Sequence, residues 1–241
     1  MTKSKIIFGK PIAILVDGAF FLKRYAACFK GGRNHSPDQV AKNLYTMVMK
    51  HVENEELYRI FFYDCPPFSK KVHNPISGQL IDFSKTPTAV FRNELHKSLA
   101  KMRKVALRLG EVRGISEKWL INSDKLKLLF RKKIEFKDLD ATDVTYDLIQ
   151  KGVDMRLGLD IASLAYKKHV NRVILVTGDS DFVPAAKLAR REGLDVILDP
   201  MWQRVHDSLY LHIDGLRSTC DRPSGGSTFT ALLKPSKGGS T

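Results

Sequence analysis

RVILVTGDSDFVPAAKLARREGLDVIL, residues 172–198, decides the fold. Arg172 to Thr177 is a short apolar run closed by Gly178, the pattern of a strand buried on both faces. Gly178-Asp179-Ser180-Asp181 reads as a tight turn. Phe182 to Glu192 follows as a helix ended by Gly193, and Asp195 to Leu198 as another strand ended by Asp199-Pro200. Strand, helix, strand in this order predicts a parallel sheet with crossover helices.

The same grammar extends outward. Ile12 to Val16 is an unbroken apolar run closed by Asp17-Gly18, and Tyr58 to Tyr63 is a second strand. Asp154 opens a helix whose Leu157, Ile161, Leu164 and Ala165 face inward, and Val205 to Ile213 is a final helix. Glu94 to Leu109 reads as a helix, with Leu95, Leu99, Met102, Ala106 and Leu109 in steps of four and three. Lys97, Lys101, Lys104 and Arg108 repeat that rhythm two residues out of phase, which puts them on the opposite face at ~100° per residue. That stripe is either a solvated face or a phosphate-tracking one. The expected architecture is α/β with a doubly wound parallel sheet. A basic lead-in covers 1–10, one domain covers 11–217 with loop insertions near 66–90 and 115–145, and a Ser/Gly/Lys-rich tail at 218–241 is expected to be disordered.

Charge narrows the class of partner. Lys and Arg number 40 against 26 Asp and Glu in 241 residues, a net charge of +14, which suits a polyanion. No apolar run reaches the roughly 18–20 residues of a spanning helix, and the polar start MTKSK has no signal-peptide core, so no membrane partner is expected. Cys28, Cys65 and Cys220 form no CxxC, which suits free thiols in a cytoplasmic protein better than a zinc site.

Ligands of open α/β sheets bind beyond the carboxyl ends of the strands. Asp17 follows the first strand, Asp179 and Asp181 follow the strand ending at Thr177, and Asp154 opens a helix expected at the same edge. Each Asp alone also reads as a helix cap or a turn residue. Together they make an acidic cluster that a hard cation, Mg²⁺ or Mn²⁺, would relieve of its repulsion. An acidic metal pocket on a basic chain is what phosphodiester hydrolysis needs. Asp160 lies six helical steps from Asp154, turned about 120° away, and is at most a supporting residue. Lys151 and Arg156 flank Asp154 as candidates for phosphate contacts.

Three stretches carry a resemblance: IAILVDGAFFLKR (12–24), KGVDMRLGLDIASLAYKK (151–168) and VILVTGDSDFVPAAKLARREGLDVIL (173–198). In order and spacing they resemble the NYN domain family of the PIN-like nuclease superfamily, over most of residues 11–217. The combination of KGVD, an apolar helix and TGDSDF is specific; DG alone is not. The resemblance implies a Rossmannoid, metal-dependent ribonuclease with Asp17, Asp154, Asp179 and Asp181 as acidic ligands. It also implies that Thr177 is the small hydroxyl residue before the GDSD turn. The family often carries Asn three residues after the first Asp, and Phe20 stands there in this chain.

A phosphoacceptor receiver would not explain +14, a dehalogenase-type DxD should follow the first strand, and no P-loop or GxGxxG occurs. Two rivals remain: a non-catalytic nucleic-acid-binding adaptor of the same fold, and a DNA-directed flap-type nuclease. RNA is the favoured partner, and self-association is left open.

Overall fold

The computed structural model describes residues 11–223, so the lead-in and the end of the tail, with its Phe229 to Leu233 patch, lie outside the described residues. Strand β1 (Ile12–Asp17) leads into helix α1 (Gly18–Cys28) and helix α2 (Pro37–Met49). Strand β2 (Leu57–Asp64) is followed by a small antiparallel pair, β3 (Lys71–His73) and β4 (Leu80–Asp82). Helix α3 (Pro87–Ala100) then leads to strand β5 (Val105–Leu109). A long antiparallel hairpin follows, β6 (Glu111–Ile121) and β7 (Val144–Lys151), with helix α4 (Ser123–Phe130) between its strands. The last third alternates: α5 (Val153–Tyr166), β8 (Arg172–Val176), α6 (Val183–Arg191), β9 (Asp195–Asp199), α7 (Asp207–Tyr210) and β10 (Gly215–Leu216).

Six strands form one parallel sheet in the order β10-β9-β8-β1-β2-β5. The chain builds outward from β1 through β2 to β5, then crosses back to start again at β8. This is the doubly wound arrangement, and the switch of direction falls between β1 and β8. The period of two along a strand divides the core into two layers. Ile12, Ile14 and Val16 pack with Phe21, Leu44 and Leu95 from α1, α2 and α3. Ala13 and Leu15 pack with Leu157 and Ile161 of α5 and Ala186 and Ala189 of α6 on the other face. Both faces of β1 are covered, which is why its sequence is continuously apolar instead of alternating.

The helix expected over Glu94–Leu109 is instead a helix, a turn and a strand. Thr86 caps α3 by accepting from Ala89 N at 3.3 Å with Pro87 in the first turn, so the helix begins earlier and ends at Ala100. Lys104 then takes a left-handed φ of 61°, and Val105–Leu109 pairs in parallel with Ile60–Asp64. Edge pairing beside β2, favoured by the β-branched Val105, wins over a helical spacing that Ala106 and Leu109 only mimic.

The basic stripe disappears with it. Lys97 pairs with Glu94 at 2.8 Å, Lys101 stands at the helix end, and Lys104 reaches the Leu57 carbonyl and Glu56. Arg108 binds Asp160 at 2.7 Å and lies 4.9 Å over the Phe61 ring. One further expectation changes: only Asp207–Tyr210 of Val205–Ile213 is helical.

The two insertions hold each other. Phe68 and Phe83 from the first meet Tyr146 of β7 at ring distances of 5.5 and 5.7 Å, and Trp119 of β6 meets the same tyrosine at 5.3 Å. Asn74 donates to the Ala141 carbonyl at 3.0 Å. Among the described residues no helix is long and apolar enough to cross a membrane.

Candidate functional site

At the switch point, β1 delivers Asp17 and β8 delivers Thr177 to the same edge. Gly18 must follow Asp17, because a Cβ there would lie 2.6 Å from the Tyr63 carbonyl oxygen. Asp17 caps α1: its Oδ1 accepts from Phe20 N at 3.0 Å. Its Oδ2 accepts from the buried Thr177 hydroxyl at 3.2 Å, and the Thr177 Oγ1 in turn accepts from Asp179 N at 3.2 Å. Asp179 Oδ1 accepts from Asp181 N at 2.9 Å, closing the turn before α6. Thr177 therefore ties the two strand ends together and fixes the orientation of both aspartates.

Asp154 enters differently. Gly152 occupies the capping position of α5 at a φ of 80°, leaving Asp154 in the first turn, where the helix dipole favours an anion. Its carboxylate has no hydrogen-bond or ion-pair partner among the described residues. Burial pushes the Asp17 carboxyl above its ordinary value, and the charges of Asp154 and Asp179 push it further. Asp154 is raised by partial shielding from water, then by Asp179 and Asp181. The charged neighbours that act on each are other carboxylates.

The four acids share the edge and are divided between two hollows. Asp17 and Asp179 line a cavity of about 600 Å³ with Phe20, Lys23, Arg204 and His206. Asp154 and Asp181 line a neighbouring one of about 310 Å³ with Phe182 and Leu188. Among the described residues no three carboxylate, histidine or cysteine side chains stand close enough to enclose a cation as they are. Chemically the set still suits a hard divalent ion, being all carboxylate and mutually repelling. Asp154, Asp179 and Asp181 are exposed.

Asp160 lines neither hollow. It accepts from the Tyr63 hydroxyl at 2.8 Å and from Arg108 Nε at 2.7 Å, toward β2 and β5. Lys151 and Arg156 are exposed beside Asp154 and form no ion pair among the described residues. Phe20 fills the spot over Gly178, where a Cβ would come within 2.6 Å of its ring.

Two groups escaped the sequence reading. Lys23 was visible in principle, one helical turn after Phe20 and on the same face. Gln203 to His206 complete the cavity wall from a loop, which has no periodicity to read, with Asp207 at the start of α7. Asp64 and Asp199 also end strands at this edge. Asp64 is held by Arg92 at 2.7 Å and His96 at 2.9 Å; Asp199 is held by His51 at 2.9 Å and Met201 N at 2.9 Å. These two are locks of the fold, with their partners built in.

The raised Asp17 carboxyl has a consequence for stability. The folded chain binds this proton more tightly than the unfolded one, so the group favours the fold below its ordinary value of 3.8. That contribution is lost as pH rises through the raised value. Metal-free Asp17→Asn should therefore gain on wild type as pH climbs from about 4 to about 7, and Asn can keep the cap on Phe20 N. Urea unfolding at both pH values, in chelator, measures the difference. A constant difference would mean that Asp17 carries no charge penalty.

The NYN domain sequence profile matches residues 80–201, just over half of the chain. The span includes Asp154, Asp179 and Asp181 and leaves Asp17 outside. Among solved structures, a protein of unknown function from Vibrio parahaemolyticus is similar at 18% identity, with 88% of this chain and 94% of that chain covered and a TM-score of 0.43. No curated protein matches the chain.

Proposed function

The chain belongs to the NYN domain family of the PIN-like nuclease superfamily, and from that premise we propose that it is a metal-dependent ribonuclease acting at the edge between β1 and β8. One observation carries this reading: Asp17 and Asp154 are raised by burial and further by neighbouring carboxylates, at the carboxyl edge of the sheet in a protein of net charge +14. Asp17, Asp154, Asp179 and Asp181 would hold Mg²⁺ or Mn²⁺. When bound, such an ion activates water for attack and offsets the charge that grows on the phosphoryl oxygens.

The chain's own residues do the rest. Thr177 and Phe20 N hold Asp17 with both oxygens directed. Lys23 stands on the wall of the larger cavity, suited to a neighbouring phosphate of the same strand. Phe20 gives that cavity an apolar wall against which a sugar or base can rest.

Incubation of labelled RNA and DNA panels with Mg²⁺, with Mn²⁺ and with chelator tests the reading. RNA cleaved only with metal supports it. Cleavage of DNA alone would make the chain a DNA-directed nuclease, and binding without cleavage would make it the adaptor that Phe20 allows.

Metal linkage gives an independent check. A cation bound only by the folded chain stabilises it by about 2.7 kcal/mol at roughly 100 times the dissociation constant. Titrating Mn²⁺ should therefore raise the melting temperature of wild type and leave Asp17→Asn nearly flat. Flat curves for both at millimolar metal would reduce the four acids to caps and turn residues.

A further inference from the structure

Helix α4 is anomalous for a protein of this fold: none of its residues is buried. Eight residues are too few for a helix to persist on propensity alone, so α4 is held by its place between β6 and β7 and by its caps. Asn122 Oδ1 accepts from Asp124 N at 3.2 Å at its start. At its end Lys132, with a φ of 54°, donates to Leu129 O at 2.9 Å, and Lys133 N donates to Leu128 O at 3.0 Å. This turn sets Phe130, Arg131, Lys132 and Lys133 in solvent one after another.

The surface from Phe130 to Phe136 exposes rings and cations in sequence, with Glu135 beside the second ring. Phe130 is 78% exposed and Phe136 is 75% exposed, the largest values of any large apolar side chain described. Lys125, Lys127 and Lys137 are committed to Asp143, Asp124 and Glu135. Arg131, Lys132 and Lys133 have no acidic partner among the described residues. No acid occurs from Lys125 to Ile134. An exposed ring beside uncompensated cations costs solubility on the one hand and repulsion on the other unless a ligand uses both. A single-stranded nucleic acid does, because its bases stack on rings while its phosphates meet the cations.

The place of this face in the fold gives it a role. The hairpin leaves the sheet at Glu111 and returns at Lys151, one glycine before α5 and three residues before Asp154. β6 bulges between Gly114 and Trp119, so the eight-residue β7 sets the reach of the hairpin at roughly 25 Å, and α4 stands at the far end of an arm rooted beside the acidic edge. The aromatic contacts of Phe68, Phe83 and Trp119 with Tyr146 fix the arm's direction.

We infer that this arm grips single-stranded RNA, with Phe130 and Phe136 as stacking surfaces and Arg131, Lys132 and Lys133 as phosphate contacts, and feeds the strand toward the acidic edge. The choice of RNA as the occupant rests on the ribonuclease reading. The grip itself is separate from the chemistry, and the two can be tested apart.

Binding of a fluorescein-labelled oligouridylate and of a labelled RNA duplex is followed by anisotropy on the full chain, in chelator, carrying Asp179→Asn. Adding Phe130→Ala and Phe136→Ala should weaken single-strand binding about tenfold per ring and leave the duplex nearly unaffected. Arg131→Gln, Lys132→Gln and Lys133→Gln together should flatten the dependence of log affinity on log salt by about 2, at about 0.7 per contact. Melting curves confirm that the variants fold, as expected for exposed positions. Unchanged single-strand binding in both variants overturns the arm, as does an equal loss for duplex and single strand. So does a wild-type dimer that the Phe→Ala variants abolish while RNA affinity stays the same. A chain with an intact acidic edge that binds as expected and cleaves nothing with either metal overturns the ribonuclease reading and leaves the arm standing.

Discussion

Asp17→Asn should abolish metal-dependent cleavage of RNA, by at least about a hundredfold, and leave the fold intact. Asn is the same size and retains an oxygen for Phe20 N, so the cap on α1 survives. Its amide can face the Thr177 hydroxyl that Asp17 accepts from. What is lost is the charge, and with it a ligand for the cation. In metal-free solution the variant should be as stable as wild type or more so, because a carboxyl raised by burial and by Asp154 and Asp179 has been removed. Activity and stability thus move in opposite directions, which a damaged fold would not produce. Single-turnover cleavage and a chelated melt on one preparation check both. Wild-type cleavage by Asp17→Asn would make this residue a helix cap and nothing more.

The largest effect on stability should come from another aspartate at the same sheet edge. Asp64→Ala removes the partner of Arg92 and of the buried His96 in one step. Breaking one side of a buried charged network costs about 3–5 kcal/mol, a large part of the stability of a single domain. The exposed Asp181, changed to Ala, should cost no more than about 0.5–1 kcal/mol. Urea unfolding of the two variants tests the division of these acids into locks and ligands. Equal losses would erase it.

That division could not be read from the chain. YRIFFYD ends in Asp64 and DVILD ends in Asp199, just as IAILVD ends in Asp17. The difference lies in partners far away in sequence: His96 is 32 residues from Asp64, and His51 is 148 residues from Asp199. The strands themselves were legible because burial on both faces forces an unbroken apolar run, as in Ile12–Val16 and Arg172–Val176. Helix α5 was legible because Leu157, Ile161 and Leu164 are spaced for one face and pack on that face. Val105–Leu109 was illegible for the opposite reason. Five residues satisfy either period, and the decision was made by the open edge of β2. The wall of the larger cavity, from Gln203 to His206, comes from a loop whose position depends on its neighbours.

The switch between β1 and β8 also sets when the acidic edge can form during synthesis. Thr177 and Asp17 touch across 160 residues of chain. At about 5–20 residues per second, a ribosome needs roughly ten to thirty seconds to cover that interval. During that time the early strands and the basic arm can emerge while the acidic edge is only half built. The acidic edge can thus close only after β8 and the turn carrying Asp179 and Asp181 have been made, and a fragment ending before β8 would carry the hairpin with α4 and lack that side of the edge. On the proposed ribonuclease reading, such a fragment would bind RNA without cutting it, so the order of the strands delays cleavage until the edge is whole.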